Sequence, residues 1–341
     1  MIQFHCDYAE GAHPEVLKML TETNLEQTEG YGKDHYCAEA RNIIKRICGT
    51  PNADVHFLVG GTQTNMTVIS TILKSYEGVV SPETGHINVH ETGAVEHSGH
   101  KVLTLPSPDG KINAMQLEQM ILEQRNDEQH EHMVRPGMVY ISFPTEMGTI
   151  YSLAELTTIY QVCRRFNMPL FIDGARLGYG LCSPKCDINI QQLAALCDVF
   201  YIGGTKVGAL FGEAVVITNK KLQENFRYHI KQNGAMLAKG RLLGIQFKAL
   251  FQDDIYWKIS QHAVEQAMRI RQALIDKGYH FFVDSFTNQL FPIMTHEKAV
   301  ELAKNFLFTT WQHMPQNQDV IRLCTSWATK PEDVTTLINS L

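Results

Sequence analysis

The chain lacks the local signatures of several protein classes. No apolar stretch approaches the roughly 20 residues that a membrane-spanning helix needs. No cluster of lysine and arginine marks a nucleic-acid surface, and the formal net charge is −6. The first residues, MIQFHCDYAEG, have neither the basic region nor the apolar core of a secretory signal. We therefore expect a cytoplasmic protein that binds neither membranes nor nucleic acids.

Metal and nucleotide signatures are also missing. The eight cysteines form no CxxC pair, and the closest two, Cys182 and Cys186, have no second half-site. The histidine-rich segments GHINVHETGAVEHSGH and QHEHM show no standard ligand spacing, so we expect reduced thiols and no metal. The absence of a GxGxxG fingerprint argues against a nicotinamide oxidoreductase, and a Walker A loop is absent too.

What the chain does contain is an alternation of apolar runs and helical patterns. The alternation predicts an α/β fold with a mostly parallel sheet flanked by helices on both faces. A length of 341 residues favours two domains. We predict an N-terminal arm and helix over 1–35, a large α/β domain over 36–235 and a smaller C-terminal α+β domain over 236–341. Predicted strands of the large domain span 55–59, 78–80, 101–105, 138–143, 169–172, 198–202 and 214–217; predicted helices span 62–75, 114–126, 152–167 and 189–197.

A single lysine, Lys206, stands in the apolar and glycine-rich stretch DVFYIGGTKVGALFGEAVVIT, residues 198–218. Burying an ammonium group is costly unless the group is paired or neutralised. The stretch by itself allows two interpretations. Lys206 is either a hairpin lysine with its amine in water, or an amine kept neutral so that it attacks a carbonyl.

Two other segments place suitable chemistry at the ends of predicted strands. In HFLVGGTQTN, a Gly-Gly-Thr turn at 60–62 opens a helix whose free N–H groups suit a phosphate, although ordinary strand–helix turns use the same residues. In PLFIDGAR, Asp173 ends a strand, where it either pairs with a buried cation or caps the next turn beside Arg176. Together with Lys206, the two segments suit pyridoxal 5′-phosphate: the turn for the phosphate, Asp173 for the pyridine nitrogen and Lys206 for a Schiff base.

The order of the motifs resembles that of the threonine aldolase family, most closely its phenylserine aldolase-like branch. The resemblance covers essentially the whole chain and rests on YGKD (31–34), GGTQTN (60–65), GHINVHETGA (85–94), DGAR (173–176), GGTK (203–206) and VIRLCTSWATKPEDV (320–334). It implies the fold-type I fold of pyridoxal-phosphate enzymes, with a seven-stranded sheet in the large domain. It also implies cleavage of a threonine- or phenylserine-like amino acid to glycine and an aldehyde. A β-eliminating lyase or an aminotransferase would use the same Lys206 and Asp173 and stays the alternative.

The resemblance also implies which residues bind the cofactor. Lys206 would carry it and Asp173 would pair with its ring nitrogen, while His86 would stack on the ring. Arg176 would reach the phenolic oxygen of the cofactor. The phosphate end would be bound by Gly61, Thr62, Gln63 and the hydroxyl of Thr205.

Further roles concern the substrate, a small amino acid. Arg322 would bind its carboxylate, with Arg176 beside it. The base would be His86 or, as a second choice, His132. Cys6 stands where the family usually has a serine, a stronger hydrogen-bond donor.

The resemblance also implies a homotetramer, a dimer of dimers in which Tyr31 reaches an active site across a subunit boundary. Without the resemblance, His86 would also fit an ordinary loop histidine. Arg322 would also fit a surface residue of an edge strand. Asp7 and Asp34 fit caps better than catalysts.

Overall fold

The N-terminal residues form an arm before the main sheet begins. The computed structural model describes residues 1–341. A short strand, β1 (Ile2–Gln3), precedes helices α1 (Pro14–Glu22) and α2 (His35–Ile47). Asp34 caps α2 by accepting the N–H of Cys37 at 2.9 Å, which confirms the predicted cap.

The predicted apolar runs form one seven-stranded sheet in the spatial order β2-β8-β7-β6-β5-β3-β4. Only β8 is antiparallel to its neighbours, which confirms the mostly parallel sheet. Every residue of β6 and β7 is buried, as expected for parallel strands covered on both faces. The strands are β2 (Asp54–Leu58), β3 (Glu77–Pro82), β4 (Val102–Leu105), β5 (Arg135–Ser142), β6 (Leu170–Asp173), β7 (Val199–Gly203) and β8 (Glu213–Ile217).

Helices cover the two faces of this sheet, and their first turns differ in a way that matters for the site. Helix α7 begins at a capping box in which Ser152 and Glu155 satisfy each other's backbone N–H groups. Helix α3 begins after Gly60 without any side-chain cap, so its first N–H groups stay available to a ligand. The helices are α3 (Gly61–Ile72), α4 (His86–Val89), α5 (Ala94–His97), α6 (Ala114–Asn126), α7 (Leu153–Phe166), α8 (Leu177–Leu181), α9 (Ile190–Ala195), α10 (Phe226–Gln232) and α11 (Arg241–Phe251).

A long helix, α12 (Ile255–Asp276), leads into a C-terminal antiparallel sheet with the order β10-β14-β11-β9, and β13 also pairs with β14. Strand β1 pairs with β12, which attaches the N-terminal arm to this part of the chain. The domain boundaries stay a prediction. The remaining elements are β9 (His280–Phe281), β10 (Gln289–Leu290), β11 (Pro292–Thr295), α13 (His296–Leu302), β12 (Phe306–Leu307), β13 (Thr309–Met314), β14 (Gln318–Cys324) and α14 (Pro331–Ser340).

None of these helices is both long enough and apolar enough to cross a membrane. No group of three or more histidine, cysteine, aspartate or glutamate side chains is arranged to hold a metal ion.

Candidate active site

The strand ends of the large sheet enclose a cavity of about 380 Å³. Because β3, β5, β6 and β7 are parallel, the segments that follow them meet at one edge of the sheet, where ligands bind in open α/β folds. Seven of the predicted site residues line the cavity: Gly61, Thr62, His86, Asp173, Arg176, Thr205 and Lys206.

Lys206 lies in the turn that follows β7, and its amine faces this cavity. The hydroxyl of Tyr179 donates to the backbone carbonyl of Lys206 at 2.5 Å and fixes that turn. Burial, the largest effect, and the nearby Arg176 cation lower the pKa of the Lys206 amine. The amine forms no ion pair and no hydrogen bond within the chain. Lys206 is therefore not a hairpin lysine with its amine in water, but a partly buried amine open to a ligand.

Asp173 ends β6 and accepts four hydrogen bonds. Its Oδ1 accepts from the hydroxyl of Tyr201 at 2.5 Å and from the N–H of Ala175 at 3.0 Å. Its Oδ2 accepts from the hydroxyl of Tyr140 at 2.7 Å and from the amide of Asn65 at 3.0 Å. Four donors hold this carboxylate in place. None of them is Arg176, the partner that Asp173 would have if it only capped the next turn.

His86 is fixed by a buried glutamate that sequence reasoning missed. Its Nδ1 lies 2.8 Å from Oε1 of Glu91, which also accepts from the amide of Asn65 at 2.8 Å. Burial opposes the charged form of His86, but the bond to Glu91 and the charge of Asp173 outweigh burial and raise the pKa of His86. Burial would raise the pKa of Asp173, yet His86 and the hydroxyl donors lower it, so Asp173 stays ionised.

A second missed carboxyl group, Glu146, faces the same cavity. Its Oε1 accepts from the hydroxyl of Ser142 at 2.7 Å and from the backbone N–H of His86 at 3.1 Å. Its Oε2 is buried without a partner, and burial raises the pKa of Glu146. An unpartnered buried oxygen beside a cavity is free to contact a ligand.

The chain by itself does not bring His132 to the cavity, contrary to its predicted role. His132 lies in an exposed 3₁₀ turn, His130–His132, that precedes β5. The start of a parallel strand is at the opposite edge of the sheet from its carboxyl end, which explains the separation. The second histidine of the cavity is His90, whose ring centroid lies 5.6 Å from that of His86.

Arg176 is held by Asp7, which is therefore not the cap that the sequence suggested. Nε of Arg176 donates to Oδ2 of Asp7 at 2.6 Å, and one terminal nitrogen donates to Oδ1 at 3.0 Å. Asn288 of the C-terminal part donates to the same Oδ2 at 2.9 Å. Burial would raise the pKa of Asp7, but Arg176 lowers it, and Arg176 keeps one terminal nitrogen free beside the cavity.

Arg322 contacts the N-terminal arm, Cys6 belongs to that arm, and neither residue is part of the cavity wall. A terminal nitrogen of Arg322 donates to the carbonyl of His5 at 2.9 Å and to the hydroxyl of Thr309 at 3.3 Å. Its Nε is buried without a partner, so one donor is available to a carboxylate. The buried Cys6 thiol lies 3.3 Å from Nε2 of His5.

One further predicted residue differs from its expected setting. The side chain of Gln63 accepts from the N–H of Val59 at 3.2 Å and does not line the cavity. Tyr31 is exposed and lies away from the cavity of its own chain, so its predicted role in another subunit's site stays a prediction. The hydroxyl of Thr205 lies 2.8 Å from Oε1 of Glu213, a partner that the sequence did not indicate.

The cavity nevertheless fits pyridoxal 5′-phosphate. A Cβ added at Gly60 would meet no atom within 4 Å, which leaves space beside the uncapped first turn of α3 for a phosphate. The ionised Asp173 suits a protonated pyridine nitrogen. The unpaired amine of Lys206 suits an aldehyde.

Sequence reasoning missed Asn65, Glu91, Glu146 and Glu213. Three of them carried a usable signal. Asn65 and Glu91 lie inside quoted motifs, and Glu213 opens an otherwise apolar strand. No local pattern marks Glu146, because its importance comes from burial beside His86.

Comparison with known proteins agrees with this geometry. The family model described as beta-eliminating lyase matches residues 4–284. A low-specificity L-threonine aldolase of Pseudomonas sp. (strain NCIMB 10558) is 30% identical over 306 residues, covering 89% of this chain and 87% of its own length. The enzyme of the same name from Pseudomonas aeruginosa is 29% identical and covers 99% of this chain and 96% of its own length. A solved structure of Leishmania major threonine aldolase superposes with a TM-score of 0.97 at 42% identity, over 99% of this chain and 98% of the other.

Proposed function

The chain belongs to the beta-eliminating lyase family, and from this premise we propose that it is a pyridoxal-phosphate-dependent aldehyde-lyase. It cleaves a β-hydroxy-α-amino acid, threonine-like or phenylserine-like, to glycine and an aldehyde. The similar proteins named threonine aldolase support this activity over nearly the whole chain. The observation that carries the proposal is the partly buried, unpaired Lys206, which lines the same cavity as the ionised Asp173.

The geometry supports the following cofactor-binding roles. When bound, pyridoxal phosphate would supply an aldehyde for a lysine and an electron sink for the carbanion that remains when Cα–Cβ breaks. Lys206 would hold the cofactor covalently, and the first turn of α3 would bind its phosphate through the N–H groups of Gly61 and Thr62. Asp173, held in place by its four donors, would keep a proton on the pyridine nitrogen.

The remaining residues act on the substrate. Arg322 and the free nitrogen of Arg176 bind the substrate carboxylate. The ring of His86 is fixed through Nδ1 by Glu91, which leaves Nε2 to take the β-hydroxyl proton. The neighbouring Glu146 accepts the backbone N–H of His86 and orients that residue.

Product analysis tests the activity directly. The holoenzyme is incubated with threonine, phenylserine and serine, and glycine, aldehyde, ammonia and 2-oxo acid are measured, with Lys206→Ala as the inactive control. We expect glycine and aldehyde in equal amounts from threonine or phenylserine. Ammonia with a 2-oxo acid as the main products would instead identify a β-eliminating lyase, and an amino-group transfer product an aminotransferase; either result contradicts the proposal.

We also propose that the protein is a cytoplasmic homotetramer, a dimer of dimers whose active sites lie at subunit boundaries. The exposed Tyr31, which does not line its own chain's cavity, supports a contribution to another subunit. All eight cysteines carry free thiols, as is usual in a reducing compartment.

A further inference from the structure

Glu213 holds the turn that carries Lys206. It is the first residue of β8, its side chain is buried, and it faces the cavity. Its Oε2 accepts the N–H of Gly204 at 3.1 Å, and its Oε1 lies 2.8 Å from the hydroxyl of Thr205. The hydroxyl oxygen of Thr205 also accepts the N–H of Gly212 at 3.0 Å.

With these contacts in place, the hydroxyl hydrogen of Thr205 points either to Oε1 of Glu213 or to another acceptor. An ionised carboxylate is an acceptor only, so with ionised Glu213 the hydrogen of Thr205 points to Oε1. A protonated Glu213 can donate to the second lone pair of the Thr205 oxygen, and the hydrogen of Thr205 is then free for another acceptor. The heavy atoms need not move between the two states, because Gly204 and Gly212 hold the turn in both.

The charged and titratable groups around Glu213 act in opposite directions. Lys206 in the same turn favours the ionised form of Glu213, whereas Asp173 at the end of β6 opposes it. The hydroxyl groups of Tyr201 on β7 and Tyr256 on α12 also face Glu213. Burial is the largest effect, and together these raise the pKa of Glu213 to about 8.

We propose that Glu213 is a positioning residue for the cofactor phosphate, which it controls through Thr205. When Glu213 is protonated, the hydroxyl group of Thr205 donates its hydrogen bond to the phosphate. When Glu213 is ionised, its carboxylate accepts that hydrogen bond instead and places a negative charge beside the phosphate anion. The inference rests on the proposed function, since it requires pyridoxal phosphate in this cavity. This role explains why the buried carboxyl group of Glu213 lies at the end of the cavity where the phosphate of the cofactor is expected.

The test is the pH dependence of cofactor affinity. The dissociation constant of pyridoxal 5′-phosphate is measured by equilibrium dialysis for the wild type, Glu213→Gln and Thr205→Val, on both sides of pH 8. We expect the wild-type constant to rise about tenfold as the pH passes through about 8, as for the loss of one charge-assisted hydrogen bond. Glu213→Gln should show no such rise, because the N–H of Gly204 keeps the glutamine oxygen and directs the amide N–H₂ to Thr205. Thr205→Val should bind weakly throughout.

Pyridoxal, which has no phosphate, is the matched control ligand. Because Glu213 and Lys206 affect each other's pKa, we compare the ratio of the two dissociation constants, in which the titration of Lys206 cancels. We expect the ratio for pyridoxal 5′-phosphate over pyridoxal to rise about tenfold through pH 8 in the wild type and to stay level in Glu213→Gln. A wild-type ratio that does not change with pH would overturn the inference, because Glu213 would then act only through Lys206. Identical pH profiles of the wild type and Glu213→Gln with the phosphorylated cofactor would overturn it as well.

Failure of the proposed function gives a different result. Wild-type protein that binds neither pyridoxal nor pyridoxal 5′-phosphate at any pH would refute the cofactor assignment itself. Circular-dichroism melting of both variants shows that a loss of binding is not a loss of fold.

Discussion

At the level of single residues, the amine of Lys206 is unpaired because the nearby carboxylates of Asp7 and Asp173 bond to other partners. Asp7 is paired with Arg176, and Asp173 is occupied by four hydrogen-bond donors. Neither carboxylate forms an ion pair with Lys206, although both lie close enough to affect its pKa. Burial therefore dominates, and the amine stays available for a carbonyl.

The electron-sink role of Asp173 gives the first prediction. Asp173→Asn keeps the shape of the side chain but removes the charge that holds a proton on the pyridine nitrogen. We expect the variant to retain cofactor and to turn over at least about 100-fold more slowly, a loss of roughly 3 kcal/mol. Steady-state kinetics with a cofactor titration measure both effects. A rate near that of the wild type would make Asp173 a structural cap.

The second prediction concerns the substrate carboxylate. Arg322→Ala removes a guanidinium whose Nε is buried without a partner, so the substrate charge would be left unpaired. We expect KM to rise and kcat/KM to fall by about 100-fold, close to 3 kcal/mol. Arg322→Lys, the matched control, should restore only part of the loss because a flexible point charge does not reproduce the directed donor of a guanidinium group fixed by His5 and Thr309. An unchanged KM in Arg322→Ala would remove Arg322 from the carboxylate site.

The site residues that the sequence could predict are those placed by strand ends. Asp173 and Lys206 each follow a buried apolar run, and the run itself determines which edge of the sheet they reach. Glu146 could not be predicted, since its role depends on burial beside His86 and no local pattern marks it. His132 was predicted from its resemblance to a histidine of the family alone, and such a resemblance does not say on which edge of the sheet a residue lies within one chain.

At the level of elements, two glycines let the ends of β6 and β7 approach closely. A Cβ added at Gly174 would lie 1.9 Å from the carbonyl oxygen of Tyr201, and one at Gly203 would lie 2.2 Å from that of Ala175. No side chain fits between these backbones. The close approach brings the turn after Asp173 and the turn that bears Lys206 to one cavity.

The third prediction follows from this packing. Gly174→Ala forces the two strand ends apart, and we expect it to destabilise the fold by about 3 kcal/mol, as overpacking in a core does. Gly60→Ala is the matched control, because a Cβ there meets no atom and the residue has an extended backbone. Gly60→Ala should melt like the wild type and bind cofactor more weakly, since its methyl enters the space beside α3. Equal melting temperatures for both variants would contradict the packing argument.

The strands and the predicted helices of the large sheet were placed within a few residues, whereas other elements were missed, the amphipathic helices α2 and α11 among them. Helix α6 occupies 114–126 as expected, and β8 begins one residue before its predicted start. Strand β13, Thr309–Met314, was missed because its residues are mostly polar and none is buried. Pairing with β14 stabilises this strand, and a local sequence pattern does not reveal such a pairing.

At the level of the whole molecule, the N-terminal arm and both sheets contribute to one site. Asp7 from the arm contacts Arg176 of the large sheet and Asn288 of the C-terminal part. The arm is attached at its start by the pairing of β1 with β12. A relative movement of the two sheets would therefore change the setting of Arg176.

The fourth prediction concerns assembly. If Tyr31 serves the site of a neighbouring subunit, a mixed oligomer of Lys206→Ala and Tyr31→Ala chains contains one site with both residues intact. We expect such a mixture, after dissociation and reassembly, to be more active than either variant alone, and sedimentation to show a dimer or tetramer. A fully active monomer, or a mixture no more active than its components, would contradict the shared site.

The most direct test of the account is the identity of the lysine that holds the cofactor. The holoenzyme is reduced with borohydride, digested, and searched by mass spectrometry for the pyridoxyl-modified peptide. The account predicts the label on Lys206 alone, and no label in Lys206→Ala protein that still folds. A label on any other lysine would contradict it.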